Sequence, residues 1–142
     1  LDADDYFHPE MLRTCVEAFA SSPSLDIVYT DALYHYADGS TLYWKTGVWD
    51  LGVVARENQC LYCAMYRRKV WDAYGGYKTN VPGYEDWDFW IGACERGFKA
   101  VRVTKPMLEY TVKDDGLGAA SQKRDQQLKL EIAKNHPGLY KM

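Results

Sequence analysis

The spacing of apolar residues switches repeatedly between helical and strand-like periods along this chain, and that alternation constrains the fold more than any other feature. Behind Pro9, which suits a first helical turn, Met11, Leu12, Cys15, Val16 and Phe19 recur at helical spacing up to Ser21 and Ser22. Ile27 to Tyr36 is rich in β-branched and aromatic residues, reaches the turn signal Asp38-Gly39 and resumes over Thr41 to Trp44, predicting a strand and hairpin. Weak helical character follows over Trp49 to Asn58, then a strand over Cys60 to Tyr66 and a short helix over Lys69 to Tyr74 that stops at Gly75-Gly76. Trp87, Trp90, Ile91 and Cys94 fall at i, i+3, i+4 and i+7, so a helix with one apolar face is expected there, closed by Gly97. Ala100 to Thr104 and Met107 to Val112 read as two short strands separated by Pro106, Lys113 to Gly118 as a polar loop, and Ser121 to Asn135 as a last helix before Pro137-Gly138. The predicted class is α/β, a mixed sheet flanked by helices with short antiparallel additions. With 142 residues, 47% of them hydrophobic, residues 1–142 suffice for a single domain with its own core.

Several function classes drop out. The 17 basic residues are scattered and the formal net charge is −3, so no footprint for nucleic acid is present. Arg67, Arg68 and Lys69 read as a solvated strand-to-helix junction. No apolar run reaches membrane-spanning length and the amino end is acidic, so no transmembrane segment or signal peptide is predicted. A cytoplasmic location is the default expectation, with peripheral attachment to the inner face of a membrane as its variant. Cys15, Cys60, Cys63 and Cys94 are dispersed. Cys60 and Cys63 form a lone C-x-x-C pair whose side chains would point to opposite faces of the predicted strand, so reduced thiols are expected rather than zinc or redox chemistry.

Two carboxylate groups stand out. Asp2, Asp4 and Asp5 crowd the first five residues, and such mutual repulsion is commonly relieved by a hard divalent cation with oxygen ligands. An acidic loop preceding a helix is the plain alternative. An EF-hand is excluded because its glycine and distal glutamate are lacking. Aspartyl-phosphatase chemistry is weakened by the missing downstream hydroxyl residue. Glu85-Asp86 follows the loop signal Pro82-Gly83 and opens the Trp87 helix, where a partly buried carboxylate can accept a substrate proton or simply compensate the helix dipole. Among 12 Tyr and 5 Trp, most serve the core, while Tyr84 and Trp87 are placed to offer a platform to a sugar ring. The histidines His8, His35 and His136 are too separated to suggest a ligand set, and Asp114-Asp115-Gly116 reads as a turn.

The order of these pieces resembles glycosyltransferase family 2. Leu1-Asp2-Ala3-Asp4-Asp5 before a Pro-initiated helix, then Ile27-Val28-Tyr29-Thr30-Asp31, is similar to the region that follows that family's D-x-D motif. Met65 to Trp71, Tyr74-Gly75-Gly76-Tyr77 and Tyr84 to Trp90 resemble its acceptor-side block with the E-D motif, and Gly97-Phe98-Lys99, Pro106 and Tyr110 continue the likeness over most of the chain. The resemblance implies a partial GT-A fold lacking its amino-terminal nucleotide-binding half, hence a fragment that is inactive alone and self-associates through its exposed sheet edge. It implies a metal-dependent inverting transferase, moving a sugar from a nucleotide-diphospho-sugar donor to a saccharide, lipid-linked or protein acceptor. Asp2 and Asp4 would contact the nucleotide sugar, and Asp4 with Asp5 would hold Mg2+ or Mn2+. Asp86 would be the general base, with Glu85, Trp87 and Tyr84 binding the acceptor. The chain departs from the family after Tyr110, where Thr111-Val112-Lys113 replaces the expected arginine and nearby histidine, leaving Lys113 as a substitute charge. The competing expectations are a non-catalytic carbohydrate-binding or interaction module of the same fold and a hydrolase using the Asp2 group.

Overall fold

The computed structural model describes residues 1–140. Along them run β1 (Tyr6–Phe7), α1 (Met11–Ser21), β2 (Ile27–His35), β3 (Thr41–Trp44), α2 (Leu51–Val54), β4 (Met65–Tyr66), α3 (Arg68–Tyr74), α4 (Glu85–Glu95), β5 (Ala100–Thr111), α5 (Leu117–Gln122) and α6 (Asp125–Asn135). The strands form one mixed sheet in the order β1-β5-β2-β3, with β4 pairing the start of β2. β2 runs parallel to β5 and antiparallel to β3 and β4, and β1 is antiparallel to β5. The fold is therefore α/β with a mixed open sheet flanked by helices.

Side-chain alternation along β2 divides the core. Ile27 and Tyr29 face a large cluster with Phe89, Trp90 and Ile91 of α4, Val70 and Tyr74 of α3 and Ile132 of α6. Val28 faces the opposite side, against Met11 and Cys15 of α1. Both faces of the strand are thus covered and its first six residues are buried, as a strand with a parallel neighbour requires. The hairpin falls where expected. Asp38 Oδ1 accepts from the Ser40 backbone N–H at 2.8 Å and from its hydroxyl at 2.6 Å, closing the turn.

Four local expectations need correction. Residues 100–111 form one strand, because Pro106 sits at a register shift: Thr30 pairs with Val103 but Asp31 with Pro106, so the irregularity absorbs a residue that cannot donate to the ladder. The segment after Asn58 is a strand only at Met65–Tyr66, since a turn closed by the Ala64 N–H to Leu61 O bond occupies the residues before it. The last helix is divided into α5 and α6: the Ser121 hydroxyl donates to Leu117 O at 2.7 Å within α5, and α6 starts afresh after Arg124. Finally, α4 is buried from Trp87 through Ala93 rather than on one face. Gly92 lets α3 approach, for a Cβ there would lie 2.3 Å from the Tyr74 ring.

Two buried carboxylates tie this frame together. Asp31, fully buried beside the register shift, receives Arg102 Nε at 3.0 Å and Nη2 at 2.9 Å, the Thr46 N–H at 2.9 Å and hydroxyl at 2.5 Å, and the Tyr43 hydroxyl at 2.6 Å. Burial opposes its ionisation, but these donors hold its carboxyl below the ordinary range. Asp88 on α4 receives the Tyr74 hydroxyl at 2.6 Å and Asn135 Nδ2 at 2.8 Å, with His136 Nε2 at 3.2 Å. His136 also meets Glu95 through Nδ1 at 2.5 Å, so the end of α6 is fastened to α4 by polar bonds inside the core.

Candidate functional site

The carboxy-terminal ends of the parallel pair β2 and β5 carry the chain's first residues and the start of α4 to one region. β1 brings Asp5 beside β5, where its carboxylate accepts from the Thr111 N–H at 2.9 Å and from the Tyr62 hydroxyl at 2.7 Å. Tyr62 in turn accepts from the Asp2 N–H at 3.0 Å, and the Thr111 hydroxyl donates to Asp4 O at 2.6 Å. Asp5 is only 6% exposed with both carboxylate oxygens engaged. These bonds make Asp5 a fastener for the acidic loop. Asp4 points outward to Lys113 Nζ at 2.7 Å, and that ammonium holds its carboxyl below the usual range. Asp2 is exposed.

Asp86 enters from the other side, in the first turn of α4. Pro82-Gly83 delivers it: Gly83 takes φ +88°, and a Cβ there would lie 1.7 Å from Ser121 Oγ, so the turn requires glycine on two counts. The Gly83 N–H donates to the Glu85 carboxylate, which therefore braces its own turn while still lining the cleft. Asp86 is half-buried and its Oδ2 accepts from Asn58 Nδ2 at 3.0 Å. Burial pushes its carboxyl up to about 6, with the bond from Asn58 opposing and the Glu85 charge adding to the rise. A carboxylate poised there is basic enough to take a proton and ionised at neutral pH.

Asp2, Glu85 and Asp86 line one cavity of about 310 Å3, together with Tyr62, Tyr77, Tyr110, Gly83 and Leu117. Asp2, Tyr110 and Leu117 also line a neighbouring hollow of about 730 Å3 that reaches Asp4, Asp5 and Lys113. The two acidic groups singled out in the sequence are thus brought together. Tyr84 and Trp87 do not line this cavity. Trp87 is 6% exposed and its indole N–H donates to Val54 O at 2.6 Å, while the Tyr84 hydroxyl donates to Asp125 at 2.7 Å. Both rings turn toward α2 and α6, away from the cavity, because helical spacing sets Trp87 about a hundred degrees round from Asp86. The cleft's aromatic wall is instead Tyr62, Tyr77 and Tyr110, whose phenols are raised by burial and remain proton donors at neutral pH. Tyr77 and Tyr110 lie within the segments that carry the family resemblance, whereas Tyr62 sits in an irregular segment with no periodic signal.

The donor chemistry can be weighed against Mg2+ or Mn2+. Such ions are held by one or two carboxylates plus substrate phosphate oxygens rather than by a protein cage. Asp4, solvent-accessible with Asp2 two residues away, fits that partial donor set once Lys113 is displaced. Among the described residues no group of three His, Cys, Asp or Glu side chains is arranged to hold a metal. The thiols are unsuited to such chemistry as well: burial raises Cys63 to about 12 and Cys94 to about 11, and all four cysteines are free. No described helix is long and apolar enough to cross a membrane. No protein-family model matches this chain, and no curated protein matches it significantly.

Proposed function

We propose that this chain carries the acceptor side of an inverting, metal-dependent glycosyltransferase of GT-A type. The observation that carries the reading is Asp86: a carboxylate raised to about 6 that shares a tyrosine-lined cavity with Asp2, next to Asp4. In the proposed reaction the acceptor hydroxyl oxygen attacks the sugar's C1 as the bond from C1 to the diphosphate oxygen breaks. The hydroxyl proton passes to Asp86, and the nucleoside diphosphate leaves on the opposite face, inverting the anomeric centre. Mg2+ or Mn2+ at Asp4 would offset the charge gathering on the leaving diphosphate. Asp2 contacts the nucleotide sugar, Glu85 orders the turn beneath the acceptor, and the Tyr62, Tyr77 and Tyr110 rings offer apolar faces with hydroxyl edges to a sugar.

The test is product analysis. The full-length protein that carries these residues is incubated with nucleotide sugars, a divalent cation and glycan acceptors, and the anomeric configuration of the product is read by NMR. Transfer with inversion is expected. Retention of configuration would contradict direct displacement, and phosphate release without any acceptor would mark a hydrolase using the Asp2 group.

A further inference from the structure

We propose that Asn58 is a positioning residue for Asp86, fixing both the rotation of its carboxylate and the oxygen that receives the proton. This rests on the reading of Asp86 as general base. The orientation of the Asn58 amide is set by its own partners. The Cys60 N–H donates to Asn58 Oδ1 at 3.3 Å, which leaves Nδ2 to donate to Asp86 Oδ2 at 3.0 Å. With an N–H aimed at Oδ2, an incoming proton is received by Oδ1.

The amide is held by a firmly anchored segment. Just before it, Val54 O accepts the Trp87 indole N–H at 2.6 Å and Ala55 O accepts the Tyr140 hydroxyl at 2.5 Å. Just after it, Gln59 O accepts the Gly47 N–H at 3.2 Å and Cys60 is buried in the main core. Asn58 therefore approaches α4 from an independent element whose position is fixed on both sides, the arrangement expected of a group that orients a reacting side chain. The other ionisable groups around Asp86 are Glu85 on the same helix, Asp2 at the chain start, Tyr62 before β4, Tyr77 before α4, Cys60, Tyr34 on β2 and Tyr110 on β5. All carry negative charge or none, and each makes ionisation of Asp86 harder or leaves it unchanged. Asn58 is the side chain in this group that supports the ionised form, beside the backbone N–H groups of Trp87 and Asp86 itself.

The experiment is a carboxyl-carbon NMR titration of Asp86 in the 142-residue chain, alongside the pH dependence of turnover by the full-length protein that carries it. Two variants are compared with the parent. Asn58→Leu removes the donor at nearly constant volume. Asn58→Asp keeps the acceptor for the Cys60 N–H but replaces the donor by a second carboxylate. The Asp86 midpoint is expected to rise by about one unit in Asn58→Leu and further in Asn58→Asp, since a hydrogen bond to an ionised group corresponds to roughly one to two units. The acid limb of turnover should move by the same amount. A midpoint that stays in place in the well-folded Asn58→Asp protein would overturn the proposal, whatever happens to stability. A displaced midpoint together with no sugar transfer by the full-length protein would uphold the pairing of Asn58 with Asp86 and overturn the transferase reading instead.

Discussion

Asp86→Asn is expected to lower kcat by about 10²–10⁴-fold, the range typical of a lost general base, with little change in KM. The substitution keeps the shape of the side chain and its place in the first turn of α4. It should also leave the fold at least as stable. The carboxyl of Asp86 is raised to about 6 in the folded chain against an ordinary value of 3.8, so its contribution to stability is greatest below the ordinary value and is lost as pH rises through about 6. At pH 7.5 the ionised group opposes folding, and a neutral amide removes that cost. Steady-state kinetics paired with thermal denaturation check both halves. Unchanged turnover would remove Asp86 from the reaction, and collapse of the fold would make its role structural. A well-folded variant that retains glycan binding without turnover fits a base. A parent protein that binds glycans but never turns over would point to the non-catalytic module.

The second large effect is on stability. Asp31→Ala should cost about 3–5 kcal/mol in urea denaturation, the penalty for leaving one member of a buried pair behind. Arg102 reaches Asp31 through two bonds and its side chain is only 19% exposed. The Thr46 hydroxyl and N–H lose their shared acceptor in the same stroke. Pairing the change with Arg102→Met should recover part of the loss, because no stranded charge remains. Were Asp31→Ala to cost under about 1 kcal/mol, the network would be solvated in solution rather than buried. The site is affected indirectly, since Asp31 sits where β2 and β5 change register before carrying Tyr34 and Tyr110 toward the cleft.

How much of this was legible in the sequence follows from the range of each signal. The hairpin of β2 and β3 is local: β-branched residues on both sides of Asp38-Gly39 specify it without help from distant parts of the chain. The α3 stop at Gly75 is likewise local, with φ +84°. The single strand across Pro106 was not legible, because the register shift that accommodates the proline belongs to the pairing with β2 and not to residues 100–111 alone. At the site, the residue types of the two acidic groups could be read directly, and their meeting could be expected only from the order of segments that resembles glycosyltransferase family 2. Distinguishing Asp5 from Asp4 required the partners Tyr62 and Thr111, which lie far away in sequence. The same holds for Asn58, an ordinary polar residue in a weakly patterned stretch until the fold sets it against Asp86. Trp87 lies outside the cavity that Asp86 lines, because an aromatic next to a carboxylate in sequence is not its neighbour on a helix surface.

In the proposed mechanism one carboxyl group must lose its proton before sugar transfer can occur. The pH dependence of kcat tests this most directly. A single-proton acid limb with its midpoint near pH 6 is predicted, turnover falling about tenfold for each unit below it, and no such limb in Asp86→Asn. Turnover that stays level from about pH 4.5 to 8, or the same limb persisting without Asp86, would contradict it.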